Sequence, residues 1–523
     1  MRRSYASAAI LAAVLAAPAS NLCAEPAAIG EFAHLELGAS GTYALSGYAD
    51  GTYSWAVPAA YSDATDTVAL SSASPSYAKT FSVAPWVEAA VGTRYFEALG
   101  RLSAGTDGKY DAALAGSGKL VGGTYYTIDE GGLKSELGPV ALEAGRFRHY
   151  DSVDTPYSLF INGRGLSAPI ADIDYEGGRF FYETRWIGLN YDSAETTPAW
   201  PGGFPDRGAS YKVYGLRLGD MRFGIQDSAV YCGRYFDAEY FLSPVPMYFT
   251  QYFLATAGRP WAESRNDNDM VGLFWDWDRP DGLGLLAQVL VDDFNVHWIL
   301  PSTPDFPWKL AFSLGARKAT GLGTFALYLA GATEYTYEGQ EMTAANQGEM
   351  AYSYTYYPDT VFDHDWQASS YSGNLAPISI EDNLVGYQYG ENNLALRLDW
   401  KGKLAGNDLG AYLEFRLMGS NSPANSWHDL VSDPLNGTRW FADSSLEKRF
   451  VLDLTGSRRI GAWRLFGELE TGAAIDALRL RDPTYTAGAA DADNYVYIFG
   501  PVAGQVDPIL RLSLGASYSV DLK

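Results

Sequence analysis

The residues best suited to chemistry in this chain are carboxylates gathered around one hairpin. Asn266, Asp267, Asn268 and Asp269 lead into an alternating apolar run, and Asp292 and Asp293 close the next one. In the first arm Val271, Leu273, Trp275 and Trp277 share one face, Gly272, Phe274, Asp276 and Asp278 the other, and Arg279-Pro280-Asp281-Gly282 supplies the turn. A hairpin returns its two ends to one edge, so Asp267 and Asp269 are expected beside Asp292 and Asp293. Oxygen ligands at that density suit a hard divalent cation such as calcium or magnesium. The spacing is not that of an EF-hand loop, and a solvated acidic rim fits the same residues. No other cofactor is expected.

Two further groups could bind rather than react. Residues 231–262 are crowded with aromatics, among them Tyr248, Phe249, Tyr252, Phe253 and Trp261. The i, i+4 spacing of the first four predicts a short helix after Pro246, ending near Gly258. Folded back over the mouth of the protein, such rings either pack on the rim or offer a platform for sugar rings. Arg146 and Arg148, flanking Phe147, are local cations on an acidic chain; they can pair with acidic groups of a polysaccharide or headgroup, or with neighbouring carboxylates. Catalysis finds little support. None of His34, His149, His297, His364 and His428 falls in a Ser/His/Asp or metal-hydrolase spacing, no phosphate-cradling glycine loop is present, and Cys232 lacks the setting of a nucleophile. The expectation is a protein that is not an enzyme.

The elements that must hold these groups are strands. Leu394, Leu396, Leu398 and Trp400 alternate with Arg397, Asp399 and Lys401, while Leu409, Ala411, Leu413 and Phe415 alternate with Tyr412, Glu414 and Arg416. One face is apolar and the other charged, so Arg397, Asp399, Glu414 and Arg416 are expected to face a polar interior, which they either fill or make selective. Assigning every such run gives about eighteen strands, an even number. Their approximate spans are 33–43, 79–90, 94–104, 118–127, 138–147, 168–176, 179–191, 210–218 and 221–230 in the first half. The second half gives 269–277, 283–294, 308–316, 323–337, 393–401, 409–418, 450–456, 462–472 and 507–520. Short connections such as Gly219-Asp220 and 278–282 alternate with long ones near 192–209, 231–268, 338–392, 419–449 and 473–506. That parity is the one kept by periplasmic turns and external loops of an outer-membrane barrel. It turns the apolar face of the hairpin toward lipid, with Trp275 and Trp277 at the periplasmic girdle.

Address and charge agree with this. Arg2 and Arg3, the apolar run from Ala8 to Ala17, and small residues up to Ala24 predict a secretory leader at 1–24, followed by a single barrel domain over 25–523. With 62 acidic against 38 basic residues and a net charge of -24, nucleic acid is excluded as a partner. The 37 tyrosines, 14 tryptophans and 55 glycines suit aromatic girdles and tolerant strands.

Three stretches carry a family resemblance: EAGRFRHYDSVD at 143–154, IADIDYEGGRFFYETRWIGLNYD at 170–192, and NDNDMVGLFWDWDRP with GLLAQVLVDDF in the hairpin. Together they resemble the Wzi-type capsule assembly proteins of bacterial outer membranes, over about residues 138–337. The resemblance implies a largely closed eighteen-stranded barrel that acts as a surface lectin helping to attach or organise capsular polysaccharide. The expected partners are outer-membrane lipid, a surface polysaccharide and the barrel assembly machinery, with the protein monomeric in the cell outer membrane. The alternative is a porin or transport channel for small solutes or saccharides.

Overall fold

A computed structural model describes residues 32–46, 78–106, 124–192, 205–256, 267–293, 308–338, 340–341, 352–356, 383–420, 427–428, 440–481 and 498–522. The leader expected at 1–24 falls outside them. Eighteen antiparallel strands form one sheet that closes on itself. In chain order they are β1 (Phe32–Ser46), β2 (Ala78–Gly92), β3 (Glu97–Gly105), β4 (Tyr125–Leu137), β5 (Val140–Phe147), β6 (Ala168–Gly177), β7 (Phe180–Asn190), β8 (Arg207–Leu218) and β9 (Met221–Cys232). They continue as β10 (Asn268–Asp278), β11 (Leu283–Asp293), β12 (Lys309–Thr320), β13 (Gly323–Ala332), β14 (Asn393–Leu404), β15 (Asn407–Met418), β16 (Glu447–Ile460), β17 (Trp463–Ile475) and β18 (Val506–Leu522). Each pairs with its neighbours in sequence, and β1 closes the ring by pairing with β18, from Ala33 opposite Leu522 to Leu45 opposite Leu510. Closure satisfies every strand edge, which is what a sheet in hydrocarbon requires.

The side-chain alternation is as read for the hairpin. Leu273 is 62% exposed on the outer wall while Phe274 and Asp276 are buried within. Trp275 and Trp277 lie 6.3 Å apart, with Trp277 opposite Leu285 close to the short turn. The same apolar exterior continues through Leu314, Leu327, Leu398, Leu454 and Leu514. The protein is therefore an outer-membrane barrel, its short turns, the start of β1 and the end of β18 on the periplasmic side. Among the described residues no helix is long and apolar enough to cross a membrane.

Two strands depart furthest from expectation. The run expected at 118–127 is observed as Tyr125–Leu137, and its connection to β5 is the two-residue turn Gly138-Pro139. The reason is a bulge: Arg101 pairs with Glu130 but Leu102 with Ile128, so Asp129 is an extra residue. Across it the parity flips, placing Ile128 and Leu133 both on the outside, and a strict period of two breaks the strand there. The strand expected at 323–337 stops at Ala332, because Tyr335 and Tyr337 have φ of 68° and 81° and turn the chain inward.

Candidate functional site

The lumen is occupied by the protein's own external loops. Residues 148–167, joining β5 to β6, start at the external end and descend inside the barrel. Asp154 meets Arg317, Oδ2 to Nη1 2.6 Å, and the same guanidinium binds Asp278 at 2.7 Å beside the periplasmic turn. The chain then returns through Tyr157, Leu159, Phe160 and Ile161, all fully buried. Phe160 lies against Gly272, where a Cβ would stand 2.0 Å from the Val289 carbonyl oxygen and 2.9 Å from the Phe160 ring, so there is no room for a side chain between wall and loop.

Polar groups on the wall hold this plug. Gln288 accepts from the Leu159 N–H at 2.9 Å and donates to Asp151 at 2.8 Å and to Gln226 at 2.6 Å. Gln226 in turn donates to the Tyr211 hydroxyl. Across the barrel, Glu414 accepts from the hydroxyls of Tyr157 (2.7 Å) and Tyr389 (2.7 Å), and Arg416 lies 3.7 Å over the Tyr389 ring. Arg397 is bound by Asp399 at 2.5 Å and stacks 3.7 Å over Tyr412. Inward charges of β14 and β15 thus fill and anchor. A second inward piece, residues 352–356 and 383–392, caps the first together with the chain after β13: Tyr354 donates to Phe160 O (2.7 Å), Tyr337 to Leu159 O (2.8 Å), and Asn162 to Leu384 O (2.9 Å).

Burial sets the protonation of this layer. His149 shares a 2.8 Å hydrogen bond with the Tyr356 hydroxyl, and burial, then the Arg185 guanidinium, hold its imidazole well below the usual value. Burial pushes the Asp151 carboxyl up, with hydrogen bonds from Gln288, Val153 and Phe160 opposing. Tyr157 is driven upward by burial and by Glu414, so it stays a donor.

The expected binding groups are dispersed. The aromatic segment does form a helix where expected: α1 (Ala238–Leu242) and α2 (Met247–Thr256) follow β9. They do not cover the mouth. They lie against the outer wall of β7–β9, because that wall carries polar groups on its lipid side that need partners. Lys212 Nζ donates to Ser243 O (2.5 Å) and Val245 O (3.1 Å), Asp227 accepts from the Met247 N–H (2.6 Å), and Thr184 donates to Phe241 O (2.7 Å). Gly188 and Gly208, paired on neighbouring strands, leave room for Tyr235; a Cβ on Gly208 would stand 2.3 Å from its carbonyl oxygen. Tyr248 and Phe249 are exposed on this outer bracket. Tyr252 and Phe253 belong to α2, but their side chains, like Trp261 and Asn266, lie outside the described residues.

Asp267 and Asp269 are not brought together with Asp292. Asp267 lies with the bracket, both its oxygens taken by Arg234 (3.2 and 2.6 Å) and one by Tyr240 (2.7 Å). Asp269 shares its outward face, near the Gln251 amide. Asp292 points the other way, 3.7 Å from Lys309 and accepting from the Tyr337 N–H. Asp293 is described only by its backbone, at the bulge that ends β11. The wall separates Asp267 and Asp269 from Asp292, and protein cations already sit beside Asp267 and Asp292, so these three do not share a cation cage. A carboxylate group that the sequence reading did not assemble, Asp453, Glu468 and Glu470, has oxygens within 4.8 Å of one another on β16 and β17.

Arg146 is engaged at the rim, donating to Ser167 O at 2.8 Å. Arg148 is exposed, with no ion pair among the described residues, and near it in sequence stands Tyr150, 60% exposed. Tyr191, 64% exposed at the outer end of β7, packs 5.0 Å from Tyr235. These are external rings and a cation with open faces.

The chain matches no family model and no curated relative. Among solved structures it is similar to Wzi of Escherichia coli, described as a carbohydrate-binding β-barrel involved in group 1 capsule assembly. The identity is 9%, with 92% of this chain and 83% of that one covered and a TM-score of 0.49. It is also similar to OpdK of Pseudomonas aeruginosa (10% identity, 94% and 99% covered, TM-score 0.41). OccD3 of the same organism gives 10% identity, 95% and 93% covered, and a TM-score of 0.43. What is shared at these identities is the barrel.

Proposed function

We propose that this outer-membrane barrel is a non-enzymatic surface protein that binds or organises an exported polysaccharide at its external rim. The observation that carries the reading is the plug: loop 148–167 runs the depth of the lumen and is hydrogen-bonded to both sides of the wall. A barrel filled in this way works at its outer surface. There Arg148 offers a cation, and Tyr150 and Tyr191 offer open rings of the kind that stack on sugars. The capsular form of the proposal comes from the Wzi-type sequence resemblance. Deleting the gene should release surface polysaccharide into the medium, and Arg148→Ala with Tyr150→Ala and Tyr191→Ala should reproduce that release without loss of the barrel. Full retention by both strains would overturn the proposal.

A channel for small solutes is the second reading, and one observation favours it. On the side away from the plug, inward Glu36, Glu88, Arg101, Asp129 and Glu468 are only half-buried among the described residues. Such a lining, mostly carboxylate, would pass cations over anions. Steady cation-selective currents from the wild-type protein in a planar bilayer, without polysaccharide release on deletion, would establish this reading over the first.

A further inference from the structure

We propose that the bracket formed by α1, α2 and the Ser243–Pro246 link is seated in the outer leaflet, with Leu242, Val245, Tyr248 and Phe249 in contact with lipid acyl chains.

The argument begins with depth. Trp277 and Met221 are paired near the periplasmic edge, and Val271 and Asp227 are paired six residues further along the same two strands. At roughly 3.4 Å per residue and a strand tilt of about 40°, those rows are separated by about 15 Å along the membrane normal. An apolar band about 25 Å tall that starts at the Trp277 girdle therefore still encloses the Asp227 row. Lys212 is the cross-strand partner of Asp227, and both face outward. Further round the wall the same row continues as Val271, Val291 and Leu310. Two charged side chains thus stand on the lipid face within the apolar band, with Thr184 of β7 beside Lys212, whereas the same row on β10, β11 and β12 carries only aliphatic groups.

The bracket meets those charges at their own level. Ser243 O and Val245 O accept from Lys212, and the Met247 N–H donates to Asp227, so the backbone from 243 to 247 is fixed at that depth. Met247 is fully buried against Ala229, Tyr231 and Tyr240 on the wall side. The side chains turned away from the wall are Leu242, Val245, Tyr248 and Phe249, exposed by 53%, 42%, 58% and 49%. A loop destined for water would have no reason to turn four large apolar groups outward at this height. The face is continuous with the barrel's lipid-facing surface, exposed at Ile225 and Leu273, so the occupant that covers one covers the other. Polar backbone faces the buried charges, and apolar side chains face the chains of the leaflet.

The test is spin-label accessibility on the full-length protein reconstituted in phospholipid vesicles. Leu242→Cys, Val245→Cys and Phe249→Cys are made with Cys23→Ser and Cys232→Ser. Leu273→Cys on the outer wall serves as the lipid reference and Asp281→Cys in the periplasmic turn as the aqueous one. Each variant is first checked for the folded, heat-modifiable band, and the half-exposed Val245 site is the mildest of the three. The expected result is that oxygen accessibility exceeds that of a water-soluble nickel chelate at all three bracket sites. Their ratio should match Leu273→Cys and be inverted relative to Asp281→Cys. Nickel accessibility matching the Asp281 site would overturn the proposal and return the bracket to water. Exclusion of both reagents with spin–spin coupling between copies would overturn it in favour of a contact between barrels.

Discussion

Glu414 is the point at which the plug is most open to a quantitative test. Its carboxylate is buried and receives the Tyr157 hydroxyl of the inward loop at 2.7 Å and the Tyr389 hydroxyl of the second inward piece at 2.7 and 2.9 Å. Hydrogen bonds to a charged acceptor contribute about 1.5–3 kcal/mol each, so Glu414→Ala removes about 3–6 kcal/mol from the two inward pieces docked together. It also leaves two buried hydroxyls to find new partners. If docking and release are a two-state exchange, the released population rises by roughly a hundredfold to ten-thousandfold. Glu414→Gln keeps a neutral acceptor and should shift it less. Single-channel recording in planar bilayers reads this as open events that are rare in the wild type and frequent in Glu414→Ala. Hydrogen exchange of the 148–167 amides should quicken in step. Traces and exchange both unchanged in Glu414→Ala would refute the idea that this carboxylate holds the plug.

Acidification should loosen the same loop through His149. Burial holds its imidazole low in the docked state, whereas a released loop takes a proton near pH 6.5. Docking stability is therefore complete above about pH 6.5 and is lost as pH falls below it. Asp151, pushed up by burial, acts in the opposite sense, favouring docking while it keeps its proton. The histidine contribution is isolated as the acid-dependent rise in 148–167 exchange that disappears in His149→Gln. On the outer wall, Gly208→Val places a side chain where the Tyr235 carbonyl now stands. It should lift the bracket and bare Lys212 and Asp227 to lipid; with a lysine at the bilayer midplane costing about 2–4 kcal/mol, the barrel should unfold at lower denaturant in vesicles. An unchanged midpoint would mean that the bracket does not shield these charges.

The barrel was legible because its signal is local and repeated: every strand pairs with its sequence neighbour, and period-two alternation needs only ten residues to be read. It failed where the backbone breaks the period, at the Asp129 bulge, and where Tyr335 and Tyr337 turn inward. The plug left no such signal. Its partners Gln288, Tyr337 and Glu414 lie more than a hundred residues from the groups they bind, and a loop that folds inward has the same length as one that does not. The unalternating run Ser158-Leu159-Phe160-Ile161 in a segment read as external was the available hint. The helix of the bracket was readable from aromatic spacing, but not the side on which it packs. That side was encoded elsewhere, in Lys212 and Asp227, the two charged residues on the lipid face of β8 and β9. The acidic cluster failed for a simpler reason: a hairpin brings Asp269 and Asp292 to one edge, yet alternation sends them to opposite faces.

Plug and bracket meet on the same strands. In β8, Tyr211 points inward to Ser152 and Gln226, and the next residue, Lys212, points outward to Ser243 and Val245. In β9, Ser228 meets the Tyr354 hydroxyl inside, and Ala229 packs under Tyr240 and Met247 outside. This part of the wall is the middle of three layers, whereas β1–β3 has half-exposed side chains inward and lipid or detergent outward. Local opening of β8 or β9 must therefore break contacts on both faces, while opening of β1–β3 breaks only the ladder. Amides of 207–213 and 226–231 should then be the slowest to exchange in detergent micelles, and those of β1–β3 the first to go. Glu414→Ala, which frees the inner layer, and Gly208→Val, which lifts the outer one, should each raise exchange in β8 and β9 while leaving β1–β3 alone. If β8 and β9 respond to neither, the two loops are passengers on a wall that is stable without them, and the three-layer account fails.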